Sequence, residues 1–573
     1  MTTNLNPQIF TRPVNEAAAT QLQQSGLSPR MARLFAARGV LSATELSTDL
    51  SALIPPETLT NNSAAAILLA DAIATKQRLL IIADYDADGA TACAISMKAL
   101  QMMGAIVDFI VPNRFEYGYG LTPEIVRLAA EQKPDWIITV DNGIASVDGV
   151  AEANRLGIKV LVTDHHLPGA ITPQAACIVN PNQAGCNFAS KNLAGCGVIF
   201  YVMLALRAEL RKRGAYKVKP APNLSVLLDL LALGTVADVV RLDQNNRILV
   251  DQGLARIRAG RASAGIMALL EIAGRKAETA SVYELGFVIG PRLNAAGRLT
   301  DMSLGIGCLL AENAETATAL ATKLDALNRE RREIEGDMRD DALFQLEEAE
   351  DDASAPTDGY TICVYQPSWH QGVIGILASR VRERYHRPVI AFAPDGQGNL
   401  KGSGRSINTL HLRDALDLVS KRHPQMLQKF GGHAMAAGLS LKVDDYLAFT
   451  QAFETAARSM LQPEDLSLRV ETDGELAHAD FNLDFVRETQ QYVWGQGFAP
   501  PTFRGKFSVI SQRVVGEKHL KLKLQIDGSN VEIEALRFGS PDPVPAQIEG
   551  AFRLSRNEFR GNETLQIIFE QLV

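Results

Sequence analysis

Between residues 62 and 163 the apolar positions change period in a regular rhythm. Short continuous runs, LLIIA (79–83), IVDFIV (106–111), WIITV (136–140) and KVLVT (159–163), alternate with stretches of helical spacing over 62–76, 90–103, 123–131 and 146–156, the first capped by Asn62. Short β-rich strands alternating with helices predict a parallel, doubly wound α/β sheet. A helix-rich stretch follows from about 194 to 345 and ends in a long helix broken only at Gly336. The turn-rich ASAPTDG (353–359) marks a boundary, after which YTICVYQ, a helix over 372–386 and RPVIAFA begin a second α/β domain reaching to about 460. HLKLKLQI (519–526), VEIEAL (531–536) and LQIIFEQL (565–572) then predict a small all-β unit. The expected division is an N-terminal helical extension (1–60), a first α/β domain (61–300), a long connecting helix (301–352), a second α/β domain (353–462) and the β-unit (463–573).

Composition narrows the class. A chain of 573 residues with 46% hydrophobic and 21% charged side chains is too long for one core. Its longest apolar stretch, Ala194 to Leu206, falls short of the ~20 residues a membrane-spanning helix needs, so no membrane association is expected. The leading MTTNLNPQIFTRP has neither a basic leader nor an apolar signal core, and the six cysteines form no CxxC pair. The expectation is a cytoplasmic protein with reduced thiols. The net charge of −8 is concentrated: residues 333–352 carry ten acids and one Arg, which leaves the remainder of the chain at +1. The acidic run reads as a solvated helix end, and a near-neutral remainder neither demands nor forbids a polyanionic partner.

The candidate chemistry lies just beyond the carboxyl ends of the predicted strands, where open α/β sheets bind ligands. Asp84, Asp86 and Asp88 follow the first strand, Asp141 and Asn142 follow WIITV, and Asp164, His165 and His166 follow KVLVT; Asp238 comes after a Gly-Thr turn in LLALGTVADVV. One acidic turn is an ordinary cap. Repetition at four sites asks for a cation, because crowded carboxylates repel one another. Carboxylates with imidazole and no thiolate suit Mn²⁺ or Mg²⁺ before zinc. About six ligands fit two ions sharing a carboxylate, which can clamp both oxygens of an in-line displacement at phosphorus. The chemistry suggested is hydrolysis of a phosphate ester or anhydride.

DYDADG (84–89), TVDNG (139–143), TDHH (163–166) and GTVADVV (234–240), in this order and spacing, resemble the phosphoesterase motifs of the DHH family. GSGRS (402–406) and GGHAMAAG (431–438) resemble the signature of the DHH-associated substrate-binding domain. With GPRLNAAGRL (290–299), the long helix and a tail like an oligonucleotide-binding (OB) barrel, the resemblance extends from about residue 30 to the C-terminus. It is to the branch of single-strand-specific 5′→3′ exonucleases.

That resemblance implies Asp86, Asp88, Asp141, His165 and Asp238 as metal ligands, with Asp141 as the bridge. Asp84 is either a ligand or an acceptor that orients one, and His166 faces the scissile phosphate. Some DHH branches carry His four residues before the first ligating Asp; here that position is Ile82, so one ion has fewer protein ligands. Arg114 in VPNRFEYGYG, and Arg292, Asn294 and Arg298 in GPRLNAAGRL, are expected in Gly-rich loops where a guanidinium can grip phosphate. Ser403, Arg405 and Ser406, with Gly431, Gly432 and His433, are expected to hold the nucleotide end of a strand, across a cleft from the Asp/His cluster. In the tail, Lys521 and Lys523 face away from Leu520, Leu522, Leu524 and Ile526. Together with Arg553, Arg556 and Arg560 and the aromatics Phe552 and Phe559 they resemble a groove where bases stack and cations track phosphates.

The implied function is release of 5′ mononucleotides from single-stranded DNA in repair and recombination, by a monomer working with a single-strand-binding protein and a helicase. A small-substrate phosphoesterase of the same superfamily is the alternative, and the β-tail counts against it. A binding scaffold without catalysis conflicts with the complete ligand set. No GxGxxG follows the first strand, which disfavours a dinucleotide-dependent oxidoreductase.

Overall fold

A computed structural model describes residues 7–113, 117, 120–351, 359–559 and 561–573. The chain divides into two compact units: Asn15–Arg329 with Gln490–Pro500, and Glu330–Thr489 with Pro501–Val573 and the N-terminal strand Gln8–Thr11.

The first unit contains, in chain order, α1 (Asn62–Ala74), β1 (Arg78–Ala83), α2 (Ala87–Met102), β2 (Ile106–Ile110), α3 (Pro123–Ala130), β3 (Trp136–Val140), α4 (Val147–Arg155), β4 (Lys159–Thr163), β5 (Cys177–Val179), α5 (Gly195–Lys212) and α6 (Leu228–Ala237). Its five strands are all parallel, in the order β2-β1-β3-β4-β5. Alternation along the strands explains the two coats of helices. Leu80, Ile82, Ile137, Val160 and Val162 pack with Ile125, Val126, Val150 and Ala153 of α3 and α4. Ile81, Ile138 and Leu161 point to the opposite face, also fully buried, where α2 and α5 pack. Strand order reverses between β1 and β3, and such a reversal opens a crevice at the carboxyl edge.

Three local expectations change. Asn61, at φ +65°, precedes α1 without a side-chain cap, while the Asn62 amide donates inward to the carbonyls of Pro56 (2.9 Å) and Tyr201 (3.2 Å). Helix α2 begins at Ala87 rather than 90 because Asp86 Oδ1 accepts the Gly89 N–H at 2.9 Å as its N-cap. The long helix, Ala314–Asp351, runs unbroken through Gly336 and carries the chain from one unit into the other. An interior glycine costs a helix only ~1 kcal/mol, which its 38 residues absorb.

In the second unit, β6 (Ile362–Tyr365), β7 (Val389–Pro394), β8 (Asn399–Arg405), β9 (Lys429–Gly432) and β10 (Ala436–Lys442) form a sheet in the order β9-β10-β8-β7-β6, with only β6 and β7 parallel. Phe392, Phe449 and Phe453 centre its core. The tail closes as a five-stranded barrel of β11 (Phe503–Val515), β12 (His519–Ile526), β13 (Glu532–Arg537), β14 (Gln547–Phe559) and β15 (Asn562–Leu572), ordered β11-β12-β13-β15-β14. Leu520, Leu522, Leu524 and Ile526 fill its interior, as their alternation predicts. At the N-terminus, Gln8–Thr11 pairs in parallel with Arg469–Thr472 as a strand. Helices Glu16–Gln24 and Pro29–Ala36 belong to the first unit, where Phe35 stacks on Trp494 at 5.4 Å.

Candidate metal centre

Asp84 and Asp141 leave the ends of β1 and β3, on the two sides of the crevice. Asp86 caps α2 and Asp88 lies in its first turn, while Asp164, His165 and His166 follow β4. Asp238 departs from expectation: it is the C-cap of α6, at a helix end rather than after a turn. Ligand atoms of three groups lie within 4.8 Å of one another: Asp84, Asp86 and Asp141; Asp88, His165 and Asp238; Asp141, His165 and His166. His165 Nε2 is 3.2 Å from Asp141 Oδ1 and 3.4 Å from Asp238 Oδ2. All three of these atoms are buried and make no hydrogen bond among the described residues. Buried polar atoms are costly unless something pairs with them, and a shared divalent cation is what oxygen and imidazole donors in this arrangement fit.

The electrostatics point the same way. Burial and then the charge of Asp86 push the Asp84 carboxyl up to about 8. Burial and then Asp88 raise Asp86, and push Asp141 and Asp238 well above the carboxylate range. Asp88 is held differently: its oxygens accept the N–H groups of Gly195 (2.6 Å) and Cys196 (3.0 Å) at the N-terminus of α5, where the helix dipole favours an anion. His165 is lowered, chiefly by burial, and so is neutral, as a ligand must be. For His166, burial works downward, but the hydrogen bond and charge of Asp164 outweigh it and raise the imidazole to about 9. Asp164 is also buried, yet His166 and the amides it accepts keep its carboxyl below the ordinary value.

Several contributors carry no obvious chemical signal in the sequence. Asp141 and Val239 adopt φ of +62° and +61°, conformations costly for side chains with a Cβ and for a β-branched one above all. A Cβ on Gly195 would sit 2.5 Å from Asp141 Oδ1, and one on Gly234 would sit 2.1 Å from Thr91 Oγ1 and 2.9 Å from Asp88 Oδ1. The only sequence trace of these two positions is glycine at a helix start and inside a helix. Asn142 ties the strand ends together, its amide donating to Ile82 O (3.1 Å) and Val140 O (2.9 Å). Ile82 itself, 1% exposed, is a core residue facing α3 and α4.

The expected substrate residues separate into groups. Arg114 lies outside the described residues. GPRLNAAGRL is not a loop but a helix, α7 (Gly290–Leu299), continuing from a π-helical turn over Glu284–Ile289. Its glycines allow close packing: a Cβ on Gly297 would lie 1.9 Å from Tyr85 O. Arg292 is 8% exposed and committed to Asp325 (Nε to Oδ1, 2.9 Å) and to Val288 O (2.6 Å), so its guanidinium is spoken for within the fold. Asn294 Oδ1 accepts the Ala87 N–H at 2.8 Å, and Arg298 is half-buried on the same helix.

In the second unit, Ser403 and Arg405 lie on β8 beside Gly375, in the first turn of helix Ile374–Tyr385; a Cβ there would reach within 2.9 Å of Ser403 Oγ and 3.1 Å of an Arg405 terminal nitrogen. Burial, and then Arg382, hold Arg405 below the ordinary guanidinium value. Ser406 is fully buried and donates to Leu410 O at 2.7 Å, which corrects its assignment as a ligand-facing hydroxyl. Gly432, at φ +142°, and His433, whose N–H donates to Ala436 O at 2.8 Å, shape the connection from β9 to β10. On the barrel, Lys521 pairs with Glu534 (2.8 Å), Lys523 with Glu532 (2.6 Å), Arg556 with Glu563 (2.8 Å) and Arg553 with Glu570. The expected cationic face is therefore a ladder of cross-strand ion pairs. Phe552 is not a stacking platform: it is fully buried in the barrel among Phe481, Phe503 and Phe507. Arg560 and the Phe559 side chain lie outside the described residues.

Comparison with known proteins agrees with this organisation. Residues 78–235 match the DHH family N-terminal domain, 358–459 the DHHA1 domain and 472–571 the RecJ OB domain. The chain is 48% identical to the single-stranded-DNA-specific exonuclease RecJ of Escherichia coli, over 99% of both proteins. Crystal structures of RecJ from Thermus thermophilus in complex with Mn²⁺ (TM-score 0.82, 30% identity, 99% of this chain and 79% of that one) and with Mg²⁺ (0.76, 28%, 99% and 78%) share the fold. Matched along its whole length by a relative of near 50% identity, and carrying the three matched domains in sequence, the chain belongs to the RecJ family of DHH proteins.

Proposed function

We propose that this chain is a divalent-metal-dependent exonuclease that hydrolyses single-stranded DNA from its 5′ end and releases 5′ mononucleotides. The observation that carries the reading is the trio of buried atoms, Asp141 Oδ1, His165 Nε2 and Asp238 Oδ2: the two oxygens converge on the imidazole nitrogen at 3.2 and 3.4 Å, and none of the three makes a hydrogen bond among the described residues. Asp84, Asp86 and Asp141 would hold one Mn²⁺ or Mg²⁺, and Asp88, His165 and Asp238 a second, with Asp141 between them. Bound there, the ions would supply Lewis-acid polarisation of the phosphate and a nucleophile at neutral pH. His166, protonated through Asp164, offers its Nε2–H to a phosphoryl or leaving oxygen. Ser403, Arg405 and His433, with Arg114 and Arg298, bind phosphates of the strand.

The barrel supports a polymeric substrate over pyrophosphate or short oligonucleotides, since a small substrate has no need of it. The same reading takes the chain as a cytoplasmic monomer in repair and recombination, working with a single-strand-binding protein and a helicase. End-labelled linear single strands incubated with Mn²⁺, Mg²⁺ or EDTA test it. Mononucleotides should appear with either metal and not with EDTA, digestion should stop near a duplex junction, and circular single strands and blunt duplex should persist. Cutting of circles would exclude an end-dependent enzyme, and faster hydrolysis of pyrophosphate would favour the small-substrate reading.

A further inference from the structure

Helix α2 starts inside the acidic turn, and the first N–H groups of any helix lack partners within it. Asp86 takes the Gly89 N–H as an ordinary N-cap, yet this leaves the Ala87 N–H, which lies between two of the candidate ligands. Its acceptor comes from 207 residues along the chain: Asn294 Oδ1, at 2.8 Å. The helix that brings Asn294 there is held against the same turn, with Gly297 backed onto the Tyr85 carbonyl so closely that a Cβ would lie at 1.9 Å. It is also fixed at its other end. Arg292 is anchored to Asp325 of the long helix through Nε (2.9 Å) and a terminal nitrogen (2.8 Å), and to Val288 O. The turn Asp84–Asp88 places three carboxyl groups on five successive residues, and crowded carboxyl groups keep one geometry only where the backbone between them is pinned.

We infer that Asn294 is a positioning residue for the metal centre: its side-chain oxygen completes the N-terminus of α2 and holds the Asp84–Asp88 turn in its liganding form, while Arg292 and Gly297 hold the helix that presents it. This goes beyond the metal-dependent reading above and, for its effect on ion affinity, rests on it. Partners that orient metal ligands typically matter by ~10–100-fold in affinity when removed. An oxygen acceptor is what the position requires. Asn294→Asp keeps one, whereas Asn294→Ala removes it. A residue gripping substrate phosphate through its amide N–H groups would behave in the opposite way, since a carboxylate there would repel the phosphate.

Hydrogen exchange on the metal-free full chain reads the positioning directly, without metal or DNA. Asn294→Ala should speed exchange in the peptide spanning Asp84–Ala90, and Asn294→Asp should leave it near the wild-type rate. Calorimetric titration with Mn²⁺ alone should then show about 10-fold weaker binding for Asn294→Ala. If the alanine variant does not fold, Asn294→Ser, too short to reach Ala87, substitutes in both measurements. Wild-type exchange in the alanine or serine variant overturns the inference, as does an aspartate variant that matches alanine in exchange and raises KM for DNA. Absence of Mn²⁺ binding by the wild-type chain would count against the metal-dependent reading, and the exchange rates would still decide the role of Asn294.

Discussion

His166 Nδ1 lies 2.7 Å from Oδ1 of Asp164, and the same carboxylate also accepts the backbone N–H groups of His165, His166 and Ile144. These hydrogen bonds of Asp164 orient the segment that bears both imidazoles. Asp164 was legible in TDHH only as part of an acidic turn; its task as the orienter of His166 comes from the structure.

This pair gives a pH prediction. His166 is raised from 6.5 to about 9, so its stabilising contribution is complete below about 6.5 and is lost as pH rises through about 9. Asp164→Asn removes the charge that raises it. The alkaline limb of the cleavage profile should move to lower pH in this variant, while Mn²⁺ affinity changes less than turnover. An unmoved alkaline limb would detach His166 protonation from the reaction.

Asp141→Asn should reduce Mn²⁺-dependent cleavage by orders of magnitude while leaving the fold intact. Because burial and four neighbouring carboxylates disfavour the Asp141 charge, the metal-free variant should also melt higher, by about 1–2 °C if the relief is ~1 kcal/mol. Thermal melts with EDTA and with Mn²⁺ check both halves: the variant should lose most of the stabilisation by metal. Near-normal turnover at saturating Mn²⁺ would sink the bridging role.

Metal uptake should depend on pH with a definite sign. The Asp84 carboxyl is raised from 3.8 to about 8 without metal, so the metal-free protein should lose stability as pH rises from about 4 through 8. Cations bind the deprotonated form, so Mn²⁺ affinity should rise over the same window and binding should release protons. Calorimetry in buffers of different ionisation enthalpy measures that release; zero proton release at pH 7 would contradict the raised carboxyl.

Gly195→Ala places a methyl group 2.5 Å from Asp141 Oδ1 at the start of α5. Overpacking of this kind costs ~1–3 kcal/mol. The melting temperature should fall and cleavage should drop with it, because the Asp141 carboxylate and the N–H groups that hold Asp88 both move. Wild-type stability and rate would show that the helix N-terminus has room to yield.

On the barrel, Lys521 and Lys523 are already paired with Glu534 and Glu532, so DNA phosphates must compete with those carboxylates. Replacing both lysines by Ala should flatten the salt dependence of single-strand binding by at most ~0.7 per contact. Glu532→Gln with Glu534→Gln should tighten binding at low salt. Equal affinity for both double variants would leave this ladder as solvated strand surface.

The sequence by itself determined what is local and repeated. Short, mostly apolar runs with helical stretches between them are enough for a parallel sheet flanked by helices, and alternation is enough for the β-tail, because burial on both faces or on one leaves its own trace in the pattern. WIITV, KVLVT and HLKLKLQI are strands over the residues their patterns predict. The acidic clusters at strand ends were legible because like charges are rarely placed together without a counter-charge.

Only the tertiary structure decided what depends on partners distant in sequence. The same arginine chemistry reads as phosphate binding in a supposed Gly-rich loop, yet Arg292 is buried against Asp325 because that segment is a helix whose glycines serve close packing. Phe552 and Leu522 share one barrel interior, although the aromatic beside arginine reads as a stacking surface. Gly195 and Gly234 matter through the Cβ atoms they lack, and Asn294 through a backbone N–H at Ala87. Such contacts leave no period and no charge pattern along the chain, since they are fixed by the meeting of surfaces that folding alone brings together.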